Sequence, residues 1–213
     1  MRKIFITGLI ISGFYSVSNA QAKPGTLDFG ANIGLNEGAL IENGTAFTYT
    51  PLLGFNAAAS LEYYFSDRWS FKGKLIFDQK GWSNSYAYAG EENGVAIYPN
   101  VNFNLNYLTV PLMANWHFGK TRSWYLHFGP YIGFLLSDKD VPDNVVIKPT
   151  YNTIDVGLDL GIGVKFPVSK TFNLFLEADG QGGFINIFKG TNDGSSVQND
   201  RSSLNFGFNI AIN

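Results

Sequence analysis

The residue types that usually carry out catalysis are scarce in this chain. It holds two histidines, His117 and His127, and no cysteine, which excludes a thiol nucleophile, a cysteine metal site and a disulfide framework. A histidine that acts as a general base must lie within hydrogen-bond reach of the group it deprotonates. No serine with a supporting carboxylate stands at an obvious spacing from either histidine. We therefore expect no enzyme activity, no cofactor and no bound metal ion.

Three glycines, Gly157, Gly161 and Gly163, superficially suggest a nucleotide-binding loop. That loop requires a strand, a turn and a following helix. Here the separations are even, which keeps the three glycines on one face of a strand, and no helical pattern follows them. We interpret them as residues that allow close packing.

Eleven charged residues share the polar phase of alternating segments, and those within one segment are separated by even numbers of residues. An even separation places side chains on the same face of a β-strand. We call this set the lumen charge network; its members are Asp28, Glu62, Lys72, Lys74, Asp78, Lys80, Asp155, Asp159, Lys165, Glu177 and Asp179.

The elements that position these residues are β-strands. From Thr153 to Phe166, every even position is apolar and every odd position is polar or glycine, an alternation that sends the two sets to opposite faces of a strand. Similar alternation predicts seven further strands, over 27–35, 52–65, 69–82, 102–118, 124–136, 172–187 and 204–212. Near Tyr107 the apolar phase moves from odd positions to even ones, which predicts a β-bulge or a strand half that projects above the membrane.

The connections between these strands alternate strictly in length. Three are tight, at 66–68, 119–123 and 169–171, and carry mainly basic charge. The other four are long and mainly acidic, near 37–51, 84–101, 138–152 and 189–202. Short periplasmic turns and longer extracellular loops are typical of bacterial outer-membrane barrels.

The faces of the strands distinguish a membrane barrel from a secreted, lipocalin-like barrel. Only 15% of the residues are charged, and the face opposite the apolar one is dominated by Gly, Asn, Ser and Ala, which suit the narrow interior of an eight-stranded barrel. Turned toward lipid, each lysine of the network would cost roughly 2–4 kcal/mol at the bilayer midplane. We therefore predict an all-β fold, an eight-stranded antiparallel up-and-down transmembrane barrel. Aromatic residues beside the tight turns are predicted to form a periplasmic girdle: Trp69, Trp116, Phe118, Trp124, Phe166 and Phe172.

In this barrel the charge network must point inward. Buried charges persist only when they are paired and hydrogen-bonded, so we interpret the network as a structural plug that fills the lumen. The alternative is a narrow conducting path, because seven acids exceed four lysines in the set.

The first 20 residues have the pattern of a secretory signal peptide. A basic head, Arg2 and Lys3, precedes an apolar run of about a dozen residues and small residues suited to cleavage after residue 20 or 22. The mature barrel domain is then expected over 24–213, in the outer membrane, with extracellular loops and periplasmic termini. The chain has 15 lysine and arginine residues and 17 aspartate and glutamate residues. It therefore lacks the excess of basic residues that a nucleic-acid-binding protein requires.

Several segments together resemble the PorT-like outer-membrane β-barrel family of Bacteroidetes. The segment 106–113, Asn-Tyr-Leu-Thr-Val-Pro-Leu-Met, is similar to that family's Tyr-Leu-x-[Ile/Val]-Pro-Leu motif, and 129–136, 155–163 and 174–178 follow in the same order. The resemblance implies an eight-stranded outer-membrane barrel and, through the family's namesake, an association with type IX secretion. The chain departs from the usual barrel pattern because it ends in Ile212-Asn213 rather than in an aromatic residue.

The expected role is therefore non-enzymatic: a PorT-like envelope protein, either structural or accessory to secretion, that binds through its extracellular loops. A surface adhesin, a lipid-modifying outer-membrane enzyme and a narrow channel are the alternatives. The expected partners are outer-membrane lipid and secretion-system or surface proteins that contact the four long loops, and the barrel is expected to be a monomer.

Overall fold

The computed structural model describes residues 23–42, 45–46, 50–86, 90–93, 95–97, 100–141, 151–189 and 196–212. The predicted signal peptide lies outside these residues, so its cleavage stays a prediction. Eight long strands dominate the described part: β1 Leu27–Glu42, β2 Thr50–Tyr64, β3 Trp69–Tyr86, β4 Asn100–Phe118, β5 Trp124–Val141, β6 Ile154–Pro167, β7 Phe172–Gly183 and β8 Val197–Ala211. Three short strands, Thr45–Ala46, Gly90–Glu92 and Val95–Ile97, lie in the loops. The described part of the chain contains no helix that is long and apolar enough to cross a bilayer.

The eight strands form one closed antiparallel barrel in chain order. Each long strand pairs with the next one along the chain, and β1 pairs with β8 from Asp28–Ala211 to Glu42–Val197. This closure leaves neither edge of the sheet unpaired. The predicted eight-stranded up-and-down barrel is confirmed.

The two ends of the barrel differ. At one, the turn end, residues 65–68, 119–123 and 168–171 join the strands. Both ends of the described chain lie there, because Gly25 N donates to Tyr64 O at 2.7 Å and Ile212 N donates to Leu27 O at 2.9 Å. The opposite end, the loop end, carries the longer connections.

The barrel is polar inside and apolar outside. In β6, the carboxylates Asp155 and Asp159 are buried in the lumen, whereas Leu158 and Leu160, on either side of Asp159, are 53% and 63% exposed on the outer surface. A soluble barrel would have polar residues outside and apolar residues inside, because water would surround it. The exposed leucines therefore indicate a barrel that is embedded in lipid.

Glycines make room for large rings in the lumen. Gly163 pairs with Tyr125 and Gly161 pairs with His127 across the β5–β6 ladder, and a Cβ atom on either glycine would overlap the ring of its partner. Gly157 faces Tyr131 in the same way. An eight-stranded barrel has a narrow interior. A large side chain on one strand therefore requires a glycine, which has no side chain, at the paired position of the neighbouring strand.

The strands extend further into the loop regions than the alternation predicts. Strand β1 continues to residue 42, β4 begins at residue 100, β5 continues to residue 141 and β8 begins at residue 197. The predicted long loops at 37–51, 84–101, 138–152 and 189–202 are shorter by those residues. Strand β7 instead ends at Gly183, before the predicted residue 187. Polar residues near strand ends obscure the alternation because water or the lumen accepts them on either face.

The change of apolar phase near Tyr107 has a different cause from the predicted one. Odd residues point inward in β4 from Phe103 to His117, and the buried Phe103 and Leu105 belong to an apolar part of the lumen. A register shift does occur here, since Asn106 pairs with Ser137 and Tyr107 pairs with Leu135. The extra residue is therefore in β5 rather than in β4.

Candidate functional site: the lumen

The turn-end layer of the lumen is organised around the carboxylate of Glu62. Its Oε1 accepts hydrogen bonds from Ser70 Oγ at 2.6 Å and Asn115 Nδ2 at 3.0 Å, and it lies 3.0 Å from His117 Nε2. Its Oε2 accepts a hydrogen bond from Lys165 Nζ at 2.9 Å. Four strands thus meet at one carboxylate, which holds this end of the barrel together.

Lys165 has further partners in the same layer. Its Nζ lies 3.8 Å from Asp28 Oδ2 and donates to the hydroxyl of Tyr64. Asp28 and Lys165 were assigned to the lumen from the sequence, and the fold brings their side chains together from β1 and β6.

Ser70 was not predicted from the sequence to be a lumen residue. Its Oγ lies 3.1 Å from His117 Nε2, so a serine, a histidine and the carboxylate of Glu62 meet after all. The arrangement differs from a catalytic triad, in which the carboxylate binds one ring nitrogen and the serine binds the other. Here both contact the same Nε2, Ser70 donates directly to Glu62, and all three side chains are buried. The cluster therefore fits a structural role.

The middle layer is organised around Glu177. Its carboxylate binds Lys72 Nζ at 3.2 Å and also Lys74 Nζ, and it accepts a hydrogen bond from Tyr125 Oη at 2.8 Å. His127 Nδ1 lies 3.4 Å from Glu177 Oε2. Strand β3 is thereby joined to β7, which faces it across the lumen.

His127 also contacts Asp159, with 3.1 Å between Nε2 and Oδ1. Its ring lies between two carboxylates, yet neither ring nitrogen makes a hydrogen bond of good geometry. His127, Glu177 and Asp179 offer ligand atoms within 4.8 Å of one another, as a metal site would. Lys72 and Lys74 already bind these carboxylates, so a divalent cation would face two ammonium groups at close range. The cluster is therefore better suited to internal ion pairing than to a metal.

Arg201 occupies a different place from the one that the sequence predicted. The predicted outer loop 189–202 includes it, whereas the structure places it in β8 with its side chain in the lumen, 1% exposed. Arg201 binds Asp179 at 2.7 Å (Nη1–Oδ1) and Asp78 at 3.3 Å (Nε–Oδ2) and approaches Asp159 at 4.0 Å. With the four lysines, it gives the described lumen five permanent cations against seven acids.

The layer nearest the loop end contains the pair Lys80 and Asp155, with 3.0 Å between Nζ and Oδ2. Lys80 Nζ also lies over the rings of Tyr131 and Tyr107, at 4.7 and 5.2 Å from their centres. Asp155 accepts further hydrogen bonds from Tyr131 and Asn199. All eleven members of the lumen charge network are 7% exposed or less, so solvent barely reaches them.

An apolar group, which we call the mouth cluster, caps the charge network at the loop end. Trp82 stacks on Phe103 with 4.7 Å between ring centres and meets the edges of Tyr151 and Phe188 at 6.5 and 6.3 Å. Leu40, Leu105, Tyr107 and Ile187 complete the cluster. The cluster was not predicted from the sequence. An apolar residue at an inward-facing position looks the same in the sequence as an outward-facing residue whose position was assigned to the wrong face.

Tyr151 belongs to the predicted outer loop 138–152, where its ring would be exposed, and the structure corrects this: it is 4% exposed and packs in the mouth cluster. The other aromatic residues of the four predicted long loops lie where the structure describes no side chain: Phe47, Tyr49, Tyr86, Tyr88 and Tyr98.

The aromatic residues assigned to the girdle lie at the turn end. Trp69, Trp116 and Trp124 are 37%, 38% and 47% exposed on the outer surface, and Trp69 pairs with Trp116 while Phe118 pairs with Trp124. Phe166 and Phe172 flank the turn at 168–171 and are half-buried. The three tryptophans lie on the adjacent strands β3, β4 and β5, so the girdle is concentrated on one side of the barrel.

Comparison with known proteins places the chain among outer-membrane barrels. The outer membrane protein beta-barrel domain family matches residues 19–189. OprG from Pseudomonas aeruginosa has a similar fold, with a TM-score of 0.53 and 11% identity over 90% of this chain and 98% of that one. Neisserial surface protein A gives a TM-score of 0.48 with 14% identity over 85% and 96% of the two chains, and Ail of Yersinia pestis gives 0.42 with 15% over 86% and 98%. No curated protein matches the chain.

Proposed function

Because the chain belongs to the outer membrane protein beta-barrel domain family, we propose that it is a non-enzymatic, non-conducting barrel that acts through its surfaces. The observation that carries this proposal is the filled lumen. Each of the five lysine and arginine side chains in the described lumen binds a carboxylate directly: Lys72, Lys74, Lys80, Lys165 and Arg201. Charges that neutralise each other are unavailable to conduct ions or to activate a substrate.

The mouth cluster supports the same proposal from the loop end. Segments around Tyr151 and Ile187 fold back over the lumen, where Asn152 N donates to Ile187 O at 2.8 Å and Ile187 N donates to Val197 O at 2.8 Å. A path for ions would have to cross this apolar layer and then break ion pairs. Breaking one buried pair by removing a partner typically costs about 3–5 kcal/mol.

Planar-bilayer recording tests the closed lumen. The wild-type barrel should leave the membrane silent at voltages where a general porin, reconstituted in parallel, conducts. Discrete current steps in the wild type would contradict the proposal. If their ion selectivity changed in Arg201→Gln but not in the turn variant Arg122→Gln, the narrow channel would be established instead.

The role that we propose for this closed barrel is that of a PorT-like envelope protein, either structural or accessory to secretion. It is supported by the segment 106–113 and the three segments that follow it in the family's order. Chemical cross-linking of intact envelopes, followed by identification of the proteins that co-purify, tests it. Recovery of secretion subunits supports the accessory role, and recovery of host or matrix proteins would favour the adhesin.

We further propose that the turn end lies in the periplasm and the loops outside the cell. The short basic turns and the location of both described chain ends at the turn end support this orientation. Since the chain has no cysteine, single cysteines report it cleanly. Glu91→Cys should react with a membrane-impermeant maleimide in intact cells, and Lys170→Cys only after the outer membrane is permeabilised; the reverse pattern would invert the barrel.

A lipid-modifying enzyme is the remaining alternative, and Ser70 is its best candidate nucleophile. Its hydroxyl is buried and donates to Glu62, which disfavours this reading. Mass spectrometry of phospholipid and lipopolysaccharide incubated with the pure barrel should show no new product. A product that disappears in Ser70→Ala would contradict the proposal.

A further inference from the structure

The outer surface of the barrel has an apolar groove on the side where the girdle is concentrated. The groove has a volume of about 850 Å³ and runs across β3, β4, β5 and β6. This volume falls in the range of about 300–1,000 Å³ that is usual for small-molecule sites. Outward-facing side chains that line it are Phe71, Leu112, Phe128, Pro130, Leu158 and Leu160.

Small residues form the floor of the groove. Gly73 and Ala114 take outward positions between larger neighbours, and a Cβ atom on Gly73 would meet only a Leu112 methyl group at 3.5 Å. The floor is therefore low because side chains are small there, and the backbone of β3 could carry a larger one.

The groove continues into the aromatic girdle at the turn end. Phe128 lines the groove and meets Trp69 edge-on with 6.5 Å between ring centres. Trp69 and Trp116 pair directly below. Gly73 comes four positions after Trp69 in β3, which is about 13 Å along a strand. The tryptophans lie at the level of the lipid headgroups, and the apolar groove lies deeper, at the level of the acyl chains. The two levels therefore match the polar and apolar parts of a lipid molecule.

Basic side chains lie in the turns next to the same tryptophans. Arg68 and Lys120 are exposed in the two turns that flank β3 and β4, and Arg68 O accepts a hydrogen bond from His117 N at 2.7 Å, which holds the turns side by side. Arg122 pairs with Asp67 at 3.0 Å. Among the described side chains of these two turns, three cations accompany one carboxylate, so this part of the edge carries net positive charge. Basic residues at a membrane surface attract anionic headgroups.

We propose that this face binds an anionic glycerophospholipid from the leaflet at the turn end. One acyl chain lies in the groove over Gly73, and the phosphate lies beside Arg68 and Lys120. The charge complementarity at the turns and the continuity of the groove with the lipid-facing surface select this occupant over a second copy of the barrel or an apolar segment of another protein.

Quenching of tryptophan fluorescence by brominated lipid tests the proposal on the reconstituted barrel. The chain has four tryptophans. Trp69, Trp116 and Trp124 lie at the turn end of β3, β4 and β5, next to the groove, and Trp82 is buried in the mouth cluster as an internal reference. In phosphatidylcholine vesicles, brominated phosphatidylglycerol should quench several-fold more strongly than brominated phosphatidylcholine at equal low mole fraction.

Two pairs of variants assign the effect to the site. Gly73→Leu fills the groove, and Ala178→Leu adds the same side chain on the outer surface of β7. The double variant Arg68→Gln/Lys120→Gln removes the cations, and Lys170→Gln removes one from a distant turn. We expect Gly73→Leu and the double variant to abolish the preference for the anionic lipid, with a loss of about fivefold per cation removed. Ala178→Leu and Lys170→Gln should keep it.

Equal quenching by the two lipids in the wild type, or an equal loss in the control variants, would overturn the proposal. If Gly73→Leu does not fold, Gly73→Ala serves instead, since its added methyl group makes only an ordinary contact. If Gly73→Leu turned a dimer into a monomer in analytical ultracentrifugation and left lipid preference unchanged, the groove would be a self-association surface, and the lipid proposal would be wrong.

Discussion

Arg201 Nη1 lies 2.7 Å from Asp179 Oδ1, and the two residues sit diagonally on the neighbouring strands β8 and β7. The same guanidinium reaches Asp78 on β3, on the other side of the lumen. Asp179 also accepts hydrogen bonds from Ser203 at 2.7 Å and Asn205 at 2.8 Å. One arginine thus connects strands that are not adjacent in the sheet, through side chains from which water is excluded.

Replacing Arg201 should destabilise the barrel strongly. Arg201→Gln leaves Asp179 and Asp78 without their common cation, and an unpaired buried charge typically costs about 3–5 kcal/mol. Urea unfolding in lipid vesicles measures the loss. The matched variant Arg122→Gln removes an arginine from a solvent-exposed pair with Asp67 and should cost at most about 1 kcal/mol; equal losses would show that the lumen pairs are not needed for stability.

The glycines opposite lumen rings predict a second contrast. Gly163→Ala places a methyl group against the ring of Tyr125, and overpacking of this kind costs about 1–3 kcal/mol. Gly182→Ala, on the outer face of β7, meets nothing within 4 Å and should be neutral or slightly stabilising. Thermal unfolding, followed by the heat-dependent shift in gel migration, compares the two. A Gly163→Ala barrel as stable as the wild type would show that the Tyr125 ring has room to move away from β6.

Single-tryptophan variants should report which face meets lipid. With the other three tryptophans replaced by phenylalanine, Trp124 on the outer surface should be quenched by brominated phospholipid. Trp82 alone, 2% exposed in the mouth cluster, should resist both brominated lipid and aqueous acrylamide. Strong acrylamide quenching of Trp82 would indicate that water enters the loop end of the lumen.

Ser70→Ala should have a modest structural effect and no chemical one. It removes one hydrogen bond to Glu62, which still has Asn115, His117 and Lys165 as partners. A single hydrogen bond contributes about 0.5–1.5 kcal/mol net, so urea unfolding should detect a loss of that size. A loss several times larger would show that the other three partners depend on the serine.

The barrel could be predicted because alternation is a local signal. In β6, Asp155, Gly157, Asp159 and Lys165 repeat on one phase, and no information beyond that strand is needed to place them on one face. The length of the tight turns then determines hairpin registers. The turn at 66–68 places Tyr64 opposite Ser70, so the proximity of Ser70 to Glu62 was within reach of the sequence.

The pairings across the lumen were not predictable in the same way. The contact of His117 with Glu62, or of Lys74 with Glu177, depends on how far each strand is shifted along its neighbours around the whole barrel. Arg201 was missed because its segment, rich in Asn, Asp and Ser, looks like a loop although it continues β8 on the inward phase. In the mouth cluster, Phe103 and Leu105 are apolar on the phase that is polar elsewhere, because the lumen changes character toward the loop end.

Strand β8 both joins the two edges of the sheet and delivers Arg201 to carboxylates held by β3, β6 and β7. A chain in which β8 has not yet docked keeps open backbone edges and unneutralised acids, and hydrocarbon tolerates neither. Insertion into the bilayer and completion of the interior must therefore occur together. A truncated chain that lacks β8 should accumulate outside the membrane, as a substrate for chaperones and proteases, rather than as a partly inserted barrel.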